Sequence, residues 1–403
     1  MAIQGLRDTS GFVTDQRPKN WREAIMLLYP NGKAPLTAMT SMMKSRKVDD
    51  PEFNWWTKSL PDQRVQLATG QTITATTTTL TLATGGLALK DGHLLKFEEN
   101  SEIVAVNGDP TSNTSITVTR GAAGTTATTI TATGAGVNPY LVVVGNANEE
   151  GSDAPTGISY DPTKVYNYAQ IFRNTLEMTR TASRTRLRTG DSVKEAKREC
   201  LELHSMEMEK AFWLGERSEG TKNGKPWRTT RGIANWIDSN NIISALGTTI
   251  TMTTLEGYLE QAFRYGSEEK VGFCGNIAML TLQRIARLNS SYQLMQGQKE
   301  FGMNVSRLIC PFGTVILKTH PLFNQLTGGT TGTGTYYGMN SWLFILDMAE
   351  ISYTYIDDTK YEKDLQANGQ DGMKSGYLTE AGLEFHHPTA HFLIKGLATA
   401  GTG

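Results

Sequence analysis

Cysteine is nearly missing from this chain. Cys200, Cys274 and Cys310 are scattered, with no Cys-x-x-Cys pair among them. That excludes a disulfide framework and a cysteine-built zinc module, and the three thiols are expected to stay reduced. Long hydrophobic runs are absent as well. Stretches such as "LVVV" and "WLFIL" fall far short of the roughly 18 residues a bilayer-spanning helix needs, so no membrane partner is expected. The opening "MAIQGLRDTSGF" has no apolar signal core, which argues against secretion. Net basic charge is the third absence. The 39 Lys+Arg and 40 Asp+Glu leave −1, where a protein whose main task is gripping DNA would be strongly basic. What remains is globular in composition: 403 residues, 38% hydrophobic and 20% charged, enough for two or three domains with sizeable cores.

Charge is unevenly placed. Residues 1–48 hold eight Lys/Arg against three acids, together with Arg17, Trp21 and Tyr29. A short helical piece, "WREAIMLLYP", is stopped by Pro30. Such an arm cannot bury much by itself and needs another surface. Residues 49–70 begin an extended limb that contains Trp55 and Trp56, with 138–157 as its partner. Between the limbs, residues 71–145 hold 18 Thr. Short alternating runs such as "TTLTLAT", "SEIVAVNG" and "TSITVTRG" are punctuated by Gly-Gly, Asp-Gly and Gly-Asp-Pro, which predicts a small barrel or sandwich. "TATTTTLTLATGG" and "TTATTITATGAG" echo each other as two similar strands.

From residue 164 the texture changes. "KVYNYAQIFRNTLEMTRTASRT" predicts a long strand, and the next segment a helix of about 23 residues ending at Gly215. Ser192 with Glu195 fits a capping box, and Val193, Ala196, Cys200 and Leu203 keep helical spacing, widened by Leu201, Met208 and Phe212. Residues 216–250 read as a loop region. "TTLEGYLEQAFRYGSEEK", "VGFCG" and "NIAMLTLQRIARL" then read helix, buried strand, helix, an α+β pattern. "TGGTTGTGTYYG" reads as a loop, and the chain closes on two strands joined through Pro388.

Motifs for chemistry are weak. "RGAAGTT" lacks the lysine of a phosphate loop and runs on into more β pattern, not a helix N-terminus, so it reads as a turn with positive φ at Gly121 and Gly124. His386, His387 and His391 are close in sequence, but neighbours on a strand point to opposite faces, and no Cys or acid completes metal spacing. Surface or interface histidines are the expectation there, and His204 is expected to pack. No GxSxG or HExxH occurs, so no catalytic residue, cofactor or metal is assigned. Arg180, Arg184, Arg186 and Arg188 form a cluster before the long helix. It suits phosphate or carboxylate contact, or a solvated face balanced by Glu195, Glu199 and Glu202; subunit contact is favoured over base reading.

Taken in order, the basic arm, extended hairpin, long helix, α+β domain and terminal strand pair resemble a tailed-phage major capsid protein of the HK97-like fold. The stretches "GLRDTSGFVTDQRPKNWREAIMLLYPNGKAPLTAMTSMMKSRKVDDPEFNWW" and "EMTRTASRTRLRTGDSVKEAKRECLELHSMEMEKAFWLGE" are similar to the SU10-type major head proteins. The resemblance implies an N-terminal arm at 1–48, an E-loop hairpin at 49–70 and 138–163 and, as a departure from the bare hairpin, a β insertion at 71–137. It implies a P-domain at 164–250 and 346–403 with its spine helix at 191–215, and an A-domain at 251–345. It further implies self-assembly as hexamers and pentamers into an icosahedral shell enclosing double-stranded DNA. Portal, scaffolding and decoration proteins are the implied partners, and DNA contact would be weak and non-specific. No covalent Lys–Asn cross-link is expected. Arg17, Trp21, Tyr29, Trp55, Trp56 and the four arginines are the candidate intersubunit contacts. Two other classes compete: another assembling structural protein, of a tail, a decoration or a shell-forming compartment, and a hydrolase using the Gly-rich loops.

Overall fold

The structure, a computed structural model, describes residues 43–58, 63–131, 139–151, 157, 159, 161–185, 191–246, 248–288, 294–300, 303–326, 329–331, 334–336, 338–397 and 399–400. The chain divides into two compact units. Trp56–Lys164 forms one; the described residues up to Trp55 together with Val165–Gly403 form the other.

The unit Trp56–Lys164 is a closed β-barrel. Its six strands run in the order Arg64–Gln66, Tyr140–Asn146, His93–Phe97, Ile103–Val106, Ser115–Ala122 and Thr79–Thr81. The last strand returns to the first: Leu67 bridges Leu82, Ala68 N donates to Thr81 O (2.9 Å) and Ala83 N to Gln66 O (2.8 Å). Alternation explains the closure. Val65 and Leu67, Leu80 and Leu82, Leu95 and Phe97, Val104 and Val106, and Ile116 and Val118 all face inward, two residues apart, into one core. The barrel therefore takes strands from both limbs, and it reaches beyond the expected insertion at 71–137. The limb residues Val65, Leu67 and Leu141 belong to its core, and a hairpin without them would leave that core open.

Arg120, in the "RGAAGTT" stretch, is the polar centre of this unit. Its guanidinium is buried against Glu102 in a bidentate pair (2.6 and 2.7 Å) and donates to Thr74 O and Thr128 O. Glu102 also accepts from Thr128 N (3.0 Å) and Gly121 N (3.3 Å). The two echoing Thr-rich segments are thus tied through one side chain, and Thr72 and Ile73 pair directly with Thr131 and Ile130. Gly121 and Gly124 have φ of 64° and 74°, and Ala123 joins them at 53°, as a turn requires.

The other unit is layered. Its helices are α1 (Arg180–Arg184), α2 (Ser192–Leu214), α3 (Ile233–Trp236), α4 (Met252–Ala262) and α5 (Asn276–Leu288). A four-stranded sheet orders Lys44–Lys47, Ile351–Glu362, Gly372–Phe385 and Gln170–Thr179. A seven-stranded mixed sheet orders Ile242–Ser244, Phe392–Lys395, Leu343–Leu346, Glu269–Cys274, Gly313–Thr319, Met303–Cys310 and Leu294–Glu300. Helix α2 packs on the first sheet, with Phe212 edge-on to Phe172 and Tyr353. Its last turn reaches the second sheet, where Trp213 meets Phe273, Phe323 and Phe344. Helices α4 and α5 cover the opposite face of that sheet through Leu255, Leu259, Ala278, Leu282 and Ile285. Covering on both faces is why "LFIL" and Phe392 to Ile394 read as unbroken apolar runs. One core cluster includes Phe212 and Phe385 as well as Phe273 and Phe344, so it crosses the expected boundary between 164–250 with 346–403 and 251–345.

Several local expectations change. Asp191, not Ser192, caps α2, accepting from Val193 N (2.9 Å); Ser192 is already helical and faces Met178. The buried stripe is Cys200, His204, Met208 and Phe212, while Leu203 is 53% exposed. His204 replaces Leu203 inside because its polar atoms are met. Nδ1 donates to Asn174 Oδ1 and Nε2 accepts from Thr379, both at 2.8 Å, and Thr379 joins Thr359. Burial holds its pKa below the ordinary value, so the ring is neutral. Gly215 does end the helix, through crowding: a Cβ there would lie 2.5 Å from both Ala211 O and Thr230 O. The expected loop at 216–250 contains a ribbon, Ser218–Lys222 paired with Lys225–Thr229. Gly329–Thr331 and Gly334–Tyr336 also pair as strands, inside the expected loop.

Buried charge joins the second sheet to its surroundings. Lys270 Nζ donates to Ala262 O, Tyr265 O and Ala390 O at 2.6–2.7 Å, and burial brings its pKa down to about 8 against the pull of Asp347. His391, expected at the surface, is fully buried. It accepts from Asp347 N through Nδ1 and donates from Nε2 to His386 O, both at 3.2 Å.

Two outcomes follow from these groups. Arg120→Ala leaves Glu102 buried without its partner and should cost about 3–5 kcal/mol, far more than replacing both residues by apolar ones. Hydrogen exchange across 115–131 in the full chain will show it. The pKa of Glu102 is lowered: burial alone would raise it, but Arg120 and the amides of Thr128 and Gly121 outweigh burial. Its contribution is present above the ordinary glutamate pKa and is lost as pH falls through the depressed value. Burial also brings the pKa of His391 down to about 4 from 6.5. The unfolded chain therefore takes up this proton first. Stability should fall as pH drops from 6.5 to 4, by roughly 3 kcal/mol at most, and His391→Gln should flatten that limb in urea titrations.

Candidate assembly surfaces

The aromatic pair on the limb separates in its duties. Trp55 is buried in its own chain, 5.5 Å from the Trp236 ring, 5.7 Å from His386 and stacked at 6.2 Å on Phe53. A ring covered in this way has no surface left for another subunit, so Trp55 is withdrawn as an intersubunit contact. Strand alternation turns the next residue outward, and Trp56 is 66% exposed. Arg17, Trp21 and Tyr29 lie outside the described residues, as do Arg186 and Arg188.

The remaining arginines sit where the long strand Gln170–Thr179 runs into α1. Thr179 caps that turn by accepting from Ala182 N (3.3 Å). Arg180 pairs with Asp371 at 2.8 Å, at the start of the neighbouring strand, and does not turn to Glu195, Glu199 or Glu202 as a balanced helix face would need. Arg184 has no ion pair among the described residues. Beside the Arg180–Asp371 pair opens a cavity of about 140 Å³ lined by Met178, Gln366, Gln370 and Met373. It is well below the roughly 300 Å³ at which small-molecule sites begin.

The outer face of the four-stranded sheet is ruled by ion pairs, Arg173 with Glu362 (3.1 Å) and Lys374 with Glu177, beside an exposed Ile171. Such a face is wettable alone and specific when paired, because exposed pairs contribute little to folding but set register between surfaces. No group of three His, Cys, Asp or Glu residues suited to a metal occurs among the described residues. His386 donates to Glu384 (2.9 Å), His387 is exposed and His391 is spent on the backbone.

The sequence reading missed the ribbon at Ser218–Thr229, which carries Trp227 at 47% exposure. The signal was present. Asn223-Gly224 is the pair that a type I′ turn favours, and both residues take positive φ, 54° and 72°.

An exposed indole at Trp56, an ion-paired sheet face and an exposed ribbon suit a structural subunit that associates with other surfaces. The family model described as SU10 major capsid protein matches residues 8–398, and the chain belongs to that family. It is a phage major capsid protein, a shell-forming component of the virion that associates with its own copies. A curated relative, the major capsid protein of Pseudomonas phage PaMx41, is 29% identical, covering 95% of this chain and 93% of its own. Among solved structures, Gordonia phage Cozz matches at 11% identity over 98% of this chain and 96% of that one, with TM-score 0.48. The capsid of Myoviridae phage XM1 matches at 10% identity, 96% and 99% coverage and TM-score 0.46. The order of elements, a limb carrying an insertion, a long helix and a layered α+β body, is the one the HK97-like resemblance implies.

The tryptophan pair offers a contrast. Trp55→Ala should cost the unassembled subunit about 3–5 kcal/mol in urea unfolding, whereas Trp56→Ala should stay within about 0.5 kcal/mol.

Proposed function

We propose that copies of this chain close as hexamers and pentamers into an icosahedral shell around double-stranded DNA. The observation that carries this reading is the family match from residue 8 to residue 398, which spans both units. The physical chemistry agrees in kind. A net charge of −1 suits a container that must not hold its cargo tightly, since affinity for DNA scales with the phosphates neutralised. Residues 1–48 act as an arm laid on a neighbour, and the limb 49–70 with 138–163 reaches over an adjacent subunit. Helix α2 is the spine, and residues 251–345 converge at capsomer centres. Portal, scaffolding and decoration proteins are the remaining partners, met in the host cytoplasm during assembly. The hydrolase reading finds no support at the Gly-rich turn, where Arg120 is paired with Glu102 and is not free for a phosphate.

Purified protein should form closed shells in negative-stain electron microscopy. Rings or open tubes would point instead to a tail component, and a persistent monomer would remove the reading. Nucleotide or ester turnover that disappears in a Gly124 variant would restore the hydrolase.

A further inference from the structure

The ribbon Ser218–Thr229 is expensive to present. Residues 218–227 are all exposed, although an isolated two-stranded ribbon is at best marginally stable in water. Its base is fastened. Arg228 pairs with Glu219 (2.9 Å), Glu219 accepts from Tyr168 (3.0 Å), and Arg217 lies 3.9 Å over the Tyr166 ring. Its tip is rigid by construction, a two-residue turn with both φ positive. Trp227 lies opposite Gly220, its ring beside the glycine, and about half of it is exposed to water. Lys222 stands directly opposite Lys225 across the turn, and neither has an ion pair among the described residues. Like charges placed directly opposite each other destabilise a ribbon. Both defects, the bare indole and the facing ammonium groups, are relieved by one kind of partner: an acidic surface that seats between the lysines and covers the ring.

This chain supplies such a surface. The barrel unit, Trp56–Lys164, carries ten acids against six bases. Its strand Tyr140–Asn146 runs out into Glu149 and Glu150, both exposed and without an ion pair among the described residues. The segment is tethered, because Ala147 N donates to Gly92 O (2.9 Å) beside Asp91. A side chain on Gly92 would strike Ala147 O at 2.8 Å, which fixes how closely the two pass.

We propose that the ribbon tip docks on the acidic barrel end of a second copy, Lys222 and Lys225 meeting Glu149 and Glu150, with Trp227 covered at the seam. This rests on the shell reading and names one contact within it. Nucleic acid is the poorer occupant. With Arg228 already paired to Glu219, the tip offers two free cations, and two phosphate contacts hold a duplex weakly at physiological salt.

A charge exchange tests the contact in the full chain. Lys222→Glu with Lys225→Glu, and separately Glu149→Lys with Glu150→Lys, should each lower the yield of closed shells at least about tenfold, since like charges then face each other. Circular dichroism of the soluble subunit should be unchanged. The fourfold variant should recover shells to within about twofold of the parent. The proposal is overturned if either double variant assembles like the parent, or if the fourfold variant does no better than the doubles. It is also overturned if the lysine variant assembles normally and only loses nucleic acid, which would make the ribbon a nucleic-acid contact. A parent protein that makes no shells would overturn the shell reading instead.

Discussion

Burying helix α2 on two sides is the constraint from which the larger unit follows. A helix of 23 residues is about 35 Å long, and its face turns between the sheet that begins with Lys44–Lys47 and the sheet that contains Glu269–Cys274. A helix wanted by two partners must satisfy each with the residues available. His204 answers the first sheet through Asn174 and Thr379, and Trp213 answers the second through three phenylalanine rings. Because both sheets lean on one rod, neither can shift without disturbing the packing of the other. A rigid rod of this kind is what a subunit needs if its outer faces are to keep a fixed angle to each other.

Polar burial does the fine positioning. Lys270 gathers three carbonyls, one from the last residue of α4, one from Tyr265 just beyond it and one from Ala390 at the Pro388 corner. Glu209 on α2 bonds His320 at the end of the strand Gly313–Thr319, with both side chains fully buried. Each group is costly out of water and is tolerated only in one geometry. Replacing such groups by well-packed apolar ones is often near neutral for stability, whereas removing only one partner is costly.

The sequence carried the order of parts because order is written in periodicity and composition: the limb, the long helix, the strand–helix alternation. The barrel was legible as short alternating strands, but its closure was not. Closure depends on Leu67 meeting Leu82, a pairing across fifteen residues that no local pattern records. On α2 the stripe holds at Cys200, Met208 and Phe212, and one member, Leu203, is displaced by its neighbour His204 for a related reason. Hydropathy ranks leucine above histidine, and only the distant Asn174 and Thr379 make His204 the inward residue. Trp55 and Trp56 are indistinguishable by composition; strand alternation says that one is covered and one is bare, and the core decides which. The ribbon is the opposite case. Its Asn-Gly turn is in plain view, but the flanking strands are mostly polar, with Trp227 the one large apolar side chain, and give no alternating pattern.

Closure of the barrel has a further consequence. Thr-rich β segments with few charges are the kind that stack edge to edge when copies are crowded, and a shell crowds its subunits as few other states do. An open sheet there would present unpaired amides to every neighbour. By returning Ala68 and Ala83 to partners within the same barrel, this unit closes its own strand edges. Barrels of identical neighbours can then stand close together without zipping edge to edge through these Thr-rich strands.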